Sequence, residues 1–185
     1  MKLSKFDQES ENAVVKALKE KKVVIIPTDT VYGFSGIVPD TDAVIRKIKG
    51  RAETKPFIQL IAHPEDIKDY TDQEVPEALL EKWPGPLTII VRNKEGMQQE
   101  TTAYRCPGDE WLRNIIEKAG CPLYSTSVNR SGSPVLDEPE AIESEFGAEA
   151  AVFIDDGEKK GALPSTLVSI LDGNITVLRQ GTVRI

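Results

Sequence analysis

Histidine is nearly missing from this chain. His63 is the only one in 185 residues, so a site built from several imidazoles cannot form. A Ser-His-Asp triad would have to draw on His63 as well, and it sits in the turn-like stretch AHPED, where a helix-entry or surface role is expected. Cysteine is scarce too. Cys106 and Cys121 lack C-x-x-C spacing and read as buried or half-buried thiols of a cytoplasmic protein rather than a disulfide. No apolar run approaches the ~18 residues of a membrane span. The opening MKLSKFDQES turns acidic before any apolar run, unlike a secretory leader. Neither G-x-x-x-x-G-K-S/T nor G-x-G-x-x-G occurs. Nucleotide chemistry here would have to use scattered Arg, Lys, Ser, Thr and Asn side chains with Mg²⁺ from solution.

What is present describes an ordinary globular chain, 39% hydrophobic and 29% charged, expected to form one domain over residues 1–185. The net charge of −7 argues against a protein that coats nucleic acid through many phosphate contacts. That charge is uneven. Residues 1–60 carry 11 Lys and Arg against 8 Asp and Glu, while 137–158 hold no basic residue at all. The stretch RKIKGRAETK (46–55) gathers Arg46, Lys47, Lys49, Arg51 and Lys55 around a single carboxylate, Glu53. A local basic site on an acidic body suits a small anionic ligand.

Strands and helices alternate along most of the chain. A helix follows Asp7, read as its cap, with Ala13, Val14, Ala17 and Leu18 on one face; VVII (23–26) reads as a buried strand. TDAVIRKIKG (41–50) is a helix closed by Gly50, PFIQLIA (56–62) a strand, EVPEALLEKW (74–83) a helix, LTIIV (87–91) and TTAYR (101–105) strands. DEWLRNIIEKAG (109–120) is an amphipathic helix, PLYSTSV (122–128) a strand, and EPEAIESEFG (138–147) a helix. The strands AVFI (151–154), TLVSI (166–170) and ITVLR (175–179) close the chain. Strands following strands at the end predict an α/β protein with a mixed sheet.

Three stretches could carry chemistry. In the basic cluster, Arg46 and Lys47 are explained by a helix C-terminus. Lys49, Arg51 and Lys55 flank Gly50 and form a grip suited to phosphate oxygens. STSVNRSG (125–132) offers hydroxyls, an amide and Arg130, and alternation points Ser125, Ser127 and Asn129 one way. PTDTVYG (27–33) ends a buried strand with hydroxyls facing a crevice, while Arg105 and Arg179 close other strands.

PTDTVYG, KGR followed by KP, WPGPLT, STSVN-x-SG, PSTLVSI and VLRQG, in this order, resemble the YrdC-like family, in its short bacterial TsaC type, from about residue 8 onward. The resemblance implies a twisted open mixed α/β sheet with flanking helices and a concave basic ligand-binding surface. It implies a threonylcarbamoyl-AMP synthase, a nucleotidyltransferase using ATP, L-threonine and bicarbonate, with Mg²⁺ accompanying the ATP. The adenylate would then supply the t6A transferase complex proteins that modify tRNA. On that resemblance the catalytic set is Lys49, Arg51, Ser127 and Asn129. ATP would also meet Lys55, Thr101 and Arg179, and threonine would meet Thr28, Arg105, Ser125 and Ser165. Leu60 and Val135 stand where longer relatives carry polar residues. The alternative is a double-stranded RNA-binding or ribosome-maturation protein of the same fold.

Overall fold

Period-two alternation sorts the strand side chains between two faces, and the helices cover those faces unequally. The computed structural model describes residues 1–185, with one ten-stranded mixed sheet. The first half of the chain gives β1 (Lys2–Ser4), α1 (Ser10–Lys19), β2 (Val24–Ile26), β3 (Gly33–Ile37), α2 (Asp42–Lys49) and β4 (Ile58–Leu60). A 3-10 turn (Pro64–Asp66), α3 (Ile67–Tyr70) and α4 (Glu77–Leu80) lead to β5 (Leu87–Arg92) and β6 (Thr101–Arg105). Then come α5 (Glu110–Ala119), β7 (Leu123–Ser127), α6 (Pro139–Phe146), β8 (Val152–Asp155), β9 (Thr166–Ser169) and β10 (Thr176–Arg179). The strand order is β1-β8-β2-β3-β7-β4-β6-β5-β9-β10. The pairs β1/β8, β2/β8, β4/β6 and β5/β9 are parallel and the others antiparallel.

On one face, Val24, Ile26, Leu60, Leu123, Val152 and Ile154 pack beneath Val14 and Leu18 of α1 and Leu112, Ile115 and Ile116 of α5. On the other, Ile25, Phe34, Tyr124 and Phe153 meet Ile45 and Ile48 of α2 and Ile142 and Phe146 of α6. Farther along that second face, Leu87, Ile89, Val91, Tyr104 and Val168 are covered by Ile67, Leu79 and Trp83. Each fully buried aliphatic or aromatic side chain contributes roughly 1.5–3 kcal/mol, so three such clusters hold this sheet firmly. Beyond α1 and α5 the first face opens. There Ile58 stands opposite both Ser125 and Ala103, and Ala103 opposite Ile90, which makes these residues the floor of a cleft.

Several local expectations change. The short strands β1 and β3 are additional. Asp7 does not cap α1: its carboxylate accepts the Ser4 N–H at 2.7 Å, and Glu9 occupies the cap position. The helix expected over 74–83 is the single turn α4, because Pro76 and Pro84 bracket it and break the hydrogen-bond ladder. His63 does enter a helix, heading the 3-10 turn with its N–H on Asp66 at 2.9 Å. Cys106 is buried, Cys121 half-buried, and the two are unbonded. No helix is long and apolar enough to cross a membrane.

Candidate active site

The open face holds a cleft of about 550 Å³. Its walls come from the β2–β3 loop (Thr28, Thr30, Val31), the segment after α2 (Arg51, Pro56, Phe57), the end of β7 (Ser125, Thr126, Ser127) and the approaches to β9 and β10 (Ser165, Arg179). Four cations line it, Arg51, Arg105, Lys159 and Arg179, against one acid, Asp137. These cations differ in their partners. Lys159 pairs with Asp156 at 2.7 Å, and Arg105 pairs with Asp29. Arg51 and Arg179 have no carboxylate. Burial lowers the affinity of both for their protons, and Arg46 adds to the effect at Arg51. Arg51 is half-buried and Arg179 exposed, and two guanidiniums without counter-ions lining one cleft attract an anionic ligand.

Local folding places these two groups. Lys49, the last residue of α2, lies on its buried face, and Gly50 then ends the helix in the left-handed region, φ 61°, which releases Arg51 toward the cleft. Arg51 donates to the carbonyls of Lys55 (3.2 Å) and Pro56 (2.9 Å), and its guanidinium lies 5.1 Å from the Phe57 ring centroid. Arg179, at the end of β10, donates from Nε to the Ser165 carbonyl at 3.0 Å and from Nη2 to Ser165 Oγ at 3.2 Å. Ser165 Oγ also shares a 2.7 Å hydrogen bond with the buried Thr88 hydroxyl.

Lys49 is not a cleft residue. It is only 2% exposed, and its ammonium donates to the Ser127 carbonyl (2.5 Å), the Asn129 carbonyl (2.9 Å) and Asn129 Oδ1 (2.8 Å). All three of its protons are thereby used. Asn129 Oδ1 accepts the Ser127 hydroxyl at 2.7 Å as well, so the K-x-R and S-x-N motifs interlock through one buried tripod. Burial, with Arg51 nearby, lowers the Lys49 pKa to about 8.

Of the residues expected from sequence, the cleft brings together Arg51, Ser127, Arg179, Thr28, Arg105, Ser125 and Ser165. Lys49 and Asn129 stand behind its wall. Lys55 is exposed and engaged only through its backbone, its N–H on the Ala52 carbonyl and its own carbonyl under Arg46 and Arg51, and Thr101 lies two residues from the lining Ala103 on β6. Arg46 is held by Asp42 at 2.6 Å, and Arg130 by Glu149 at 2.8 Å; both are scaffold. Leu60 belongs to the core, whereas Val135 lines the cleft. Asp29, Thr30, Thr88, Asp137 and Lys159 were missed. For Asp29 and Thr30 a signal existed, since both lie inside PTDTVYG. Thr88 likewise ends the WPGPLT motif, whereas Asp137 and Lys159 stand in stretches without any motif, and only the fold gathers them.

Asp and His content offers no dedicated metal cage: no group of three or more His, Cys, Asp or Glu comes together. Such a donor set fits a cation that arrives already ligated by phosphate oxygens.

The Sua5/YciO/YrdC family model, described as Telomere recombination, matches residues 16–181. The chain is 32% identical over 176 residues to the threonylcarbamoyl-AMP synthase of Pyrococcus abyssi, an alignment covering 89% of this chain and 52% of that protein. It therefore spans about half the length of that relative. It is 29% identical over 184 residues to the threonylcarbamoyl-AMP synthase of Shigella boydii, covering 91% of this chain and 94% of that protein. A solved structure, P. abyssi Sua5 complexed with L-threonine, superimposes with a TM-score of 0.86 at 27% identity, over 98% of this chain and 57% of that one.

Proposed function

The chain belongs to the Sua5/YciO/YrdC family, and from that premise we propose that it is a threonylcarbamoyl-AMP synthase, a nucleotidyltransferase acting on ATP, L-threonine and bicarbonate. The observation that carries the proposal is the pair Arg51 and Arg179, two guanidiniums without acidic partners, the first half-buried and the second exposed, in one hydroxyl-lined cleft. They are the places for a triphosphate. Ser127, fixed by the Lys49 tripod, adds a hydroxyl beside them. Arg105, Ser125 and Ser165 face the same space and suit the amino acid, whose carboxylate Arg105 would receive. That a relative of this fold binds L-threonine supports the assignment.

The chemistry asks little covalent work of the protein. The threonine amine adds to bicarbonate with loss of water, and a carbamate oxygen attacks the α-phosphorus of ATP. The bond from that phosphorus to the bridging oxygen breaks, and the electron pair leaves with pyrophosphate. Arg51 and Arg179 oppose the charge that grows on the departing pyrophosphate, and the cleft aligns the two anions. Mg²⁺ would ride on the triphosphate and lower its charge when bound. The Lys49 tripod positions rather than grips. The adenylate then passes to the proteins that install t6A on tRNA, in the cytoplasm.

The test is pyrophosphate release from ATP and Mg²⁺, with L-threonine and bicarbonate omitted in turn. Release that needs both is the expected result. Folded protein that releases none, yet binds double-stranded RNA with a steep salt dependence, would replace the synthase with an RNA-binding role.

A further inference from the structure

Asp29 and Thr30 follow Thr28 in the β2–β3 loop, and between them they hold the guanidinium of Arg105. Arg105 Nη2 donates to Asp29 Oδ1, Nη1 to Thr30 Oγ1 at 3.0 Å, and Nε to the Gly85 carbonyl at 3.3 Å. Asp29 Oδ2 accepts the Gly108 N–H at 2.9 Å, so one carboxylate ties the β2–β3 loop to both ends of the segment that follows β6. A Cβ on Gly108 would stand 3.0 Å from that oxygen, so glycine there permits the approach. Thr30 Oγ1 in turn meets Thr28 Oγ1 at 2.9 Å, and Thr28 donates to the Val31 carbonyl at 2.8 Å. The chain of partners is closed on the protein side.

We propose that Asp29, with Thr30, is a positioning and specificity residue: it fixes the angle of Arg105 and cancels its charge, so that Arg105 accepts a single carboxylate and leaves the triphosphate to Arg51 and Arg179. The proposal rests on the synthase reading above. A guanidinium has five N–H groups. Three are spent on Asp29, Thr30 and Gly85, which leaves one on each Nη, the two atoms that serve bidentate carboxylate recognition. With Asp29 beside it, Arg105 presents directed hydrogen bonds but little net field. A polyanion gains most where charge is uncompensated, at Arg51 and Arg179; a monocarboxylate gains most where two donors are held at a fixed angle. The unequal pairing of three arginines in one cleft thus sorts two anionic substrates.

The experiment compares the Michaelis constants for L-threonine and ATP in pyrophosphate release, together with calorimetric binding of L-threonine to the free protein. In Asp29→Asn one donor–acceptor contact becomes donor against donor. The KM for threonine should rise roughly tenfold to a hundredfold, with the KM for ATP changing by no more than about twofold, and Asp29→Glu should recover part of the loss. Equal rises in both constants, or an unchanged threonine constant in a folded variant, would overturn the proposal by reducing Asp29 to scaffold. Should Asp29→Asn not fold, the isosteric Thr30→Val reads the same split, in the same direction and about tenfold. If the unmutated protein binds no threonine, the synthase reading itself has failed and takes this proposal with it. If it binds threonine and both variants bind equally well, the positioning role alone falls.

Discussion

Lys49 is a buried cation held by oxygens that carry no formal charge, and that choice has a pH signature. In the unfolded chain a lysine keeps its proton to about 10.5, whereas in the fold burial brings Lys49 to about 8. Between those values the unfolded state binds more protons than the native one, so stability rises with pH across the window. The slope reaches about 1.4 kcal/mol per pH unit at most. From about pH 8 upward the Cys106 thiol, pushed up by burial to about 12, and the Cys121 thiol, raised by the same cause, act with the opposite sign, because there the native state holds the extra proton. Between about pH 8 and 9 the lysine effect is the larger. Urea midpoints measured across that interval should climb in the unmutated protein and stay level or fall in Lys49→Met, and a rise that survives the substitution would assign it to another group. The same buried ammonium shows where sequence reading stops. KGR and STSVN are visible as motifs, and they do meet, but carbonyl oxygens leave no mark in a sequence. The tripod that removes Lys49 from the cleft can be seen only in three dimensions. Asp29 lies in a visible motif, but its role was hidden, because its partners, Arg105 and the Gly108 N–H, are more than 70 residues away.

Among the elements, α2 and its exit contribute most to the site. Ile45 and Ile48 fix its buried face, and Gly50 then takes φ 61° with nothing within 4 Å of a would-be Cβ. Alanine would fit sterically there, so its cost is conformational, about 1–2 kcal/mol. Gly50→Ala should lower the melting temperature by roughly 2–8 °C, and it should raise the KM for ATP about tenfold by displacing Arg51. A variant with a lower melting point but an unchanged ATP constant would show that Arg51 does not depend on this turn. Helices of this kind were legible because their apolar residues recur at helical spacing and a glycine closes them, as in α2 and α5. β3, GFSGI, was not. Two glycines and a serine give it little strand propensity, and it is a strand because β2 and β7 flank it on both sides and supply its hydrogen bonds. β1 likewise exists by pairing with β8, some 150 residues on. The helix expected at 74–83 failed through its prolines, whose effect on the ladder outweighs the apolar spacing of Leu79 and Leu80.

For the molecule as a whole, the cleft joins two parts of the sheet. β3 and β7 carry one wall, and β5, β9 and β10 carry the other, with β4 and β6 between. A ligand touching both Arg51 and Arg179 cross-links them. At a hundred times its dissociation constant, ATP should add about 2.7 kcal/mol of stability, a shift of roughly 5–11 °C for a chain of this size. It should also slow amide exchange on both walls at once, at Ser127–Asn129 and in β9–β10. Protection confined to one wall would mean that the two arginines do not share a ligand.

The position of β8 between β1 and β2 has a consequence of a different kind. Both neighbours are made near the start of the chain, yet the strand that belongs between them is about 130 residues away from β2. Until it arrives, β2 offers Val24, Ile25 and Ile26 along an open edge, and β1 has no partner at all. Closing so long a loop is entropically slow. Insertion of β8 is therefore expected late in folding, and the emerging polypeptide carries an apolar, adhesive gap through most of its synthesis. A holdase able to mask that edge should raise the yield of native protein more than one that shields the later strands β9 and β10.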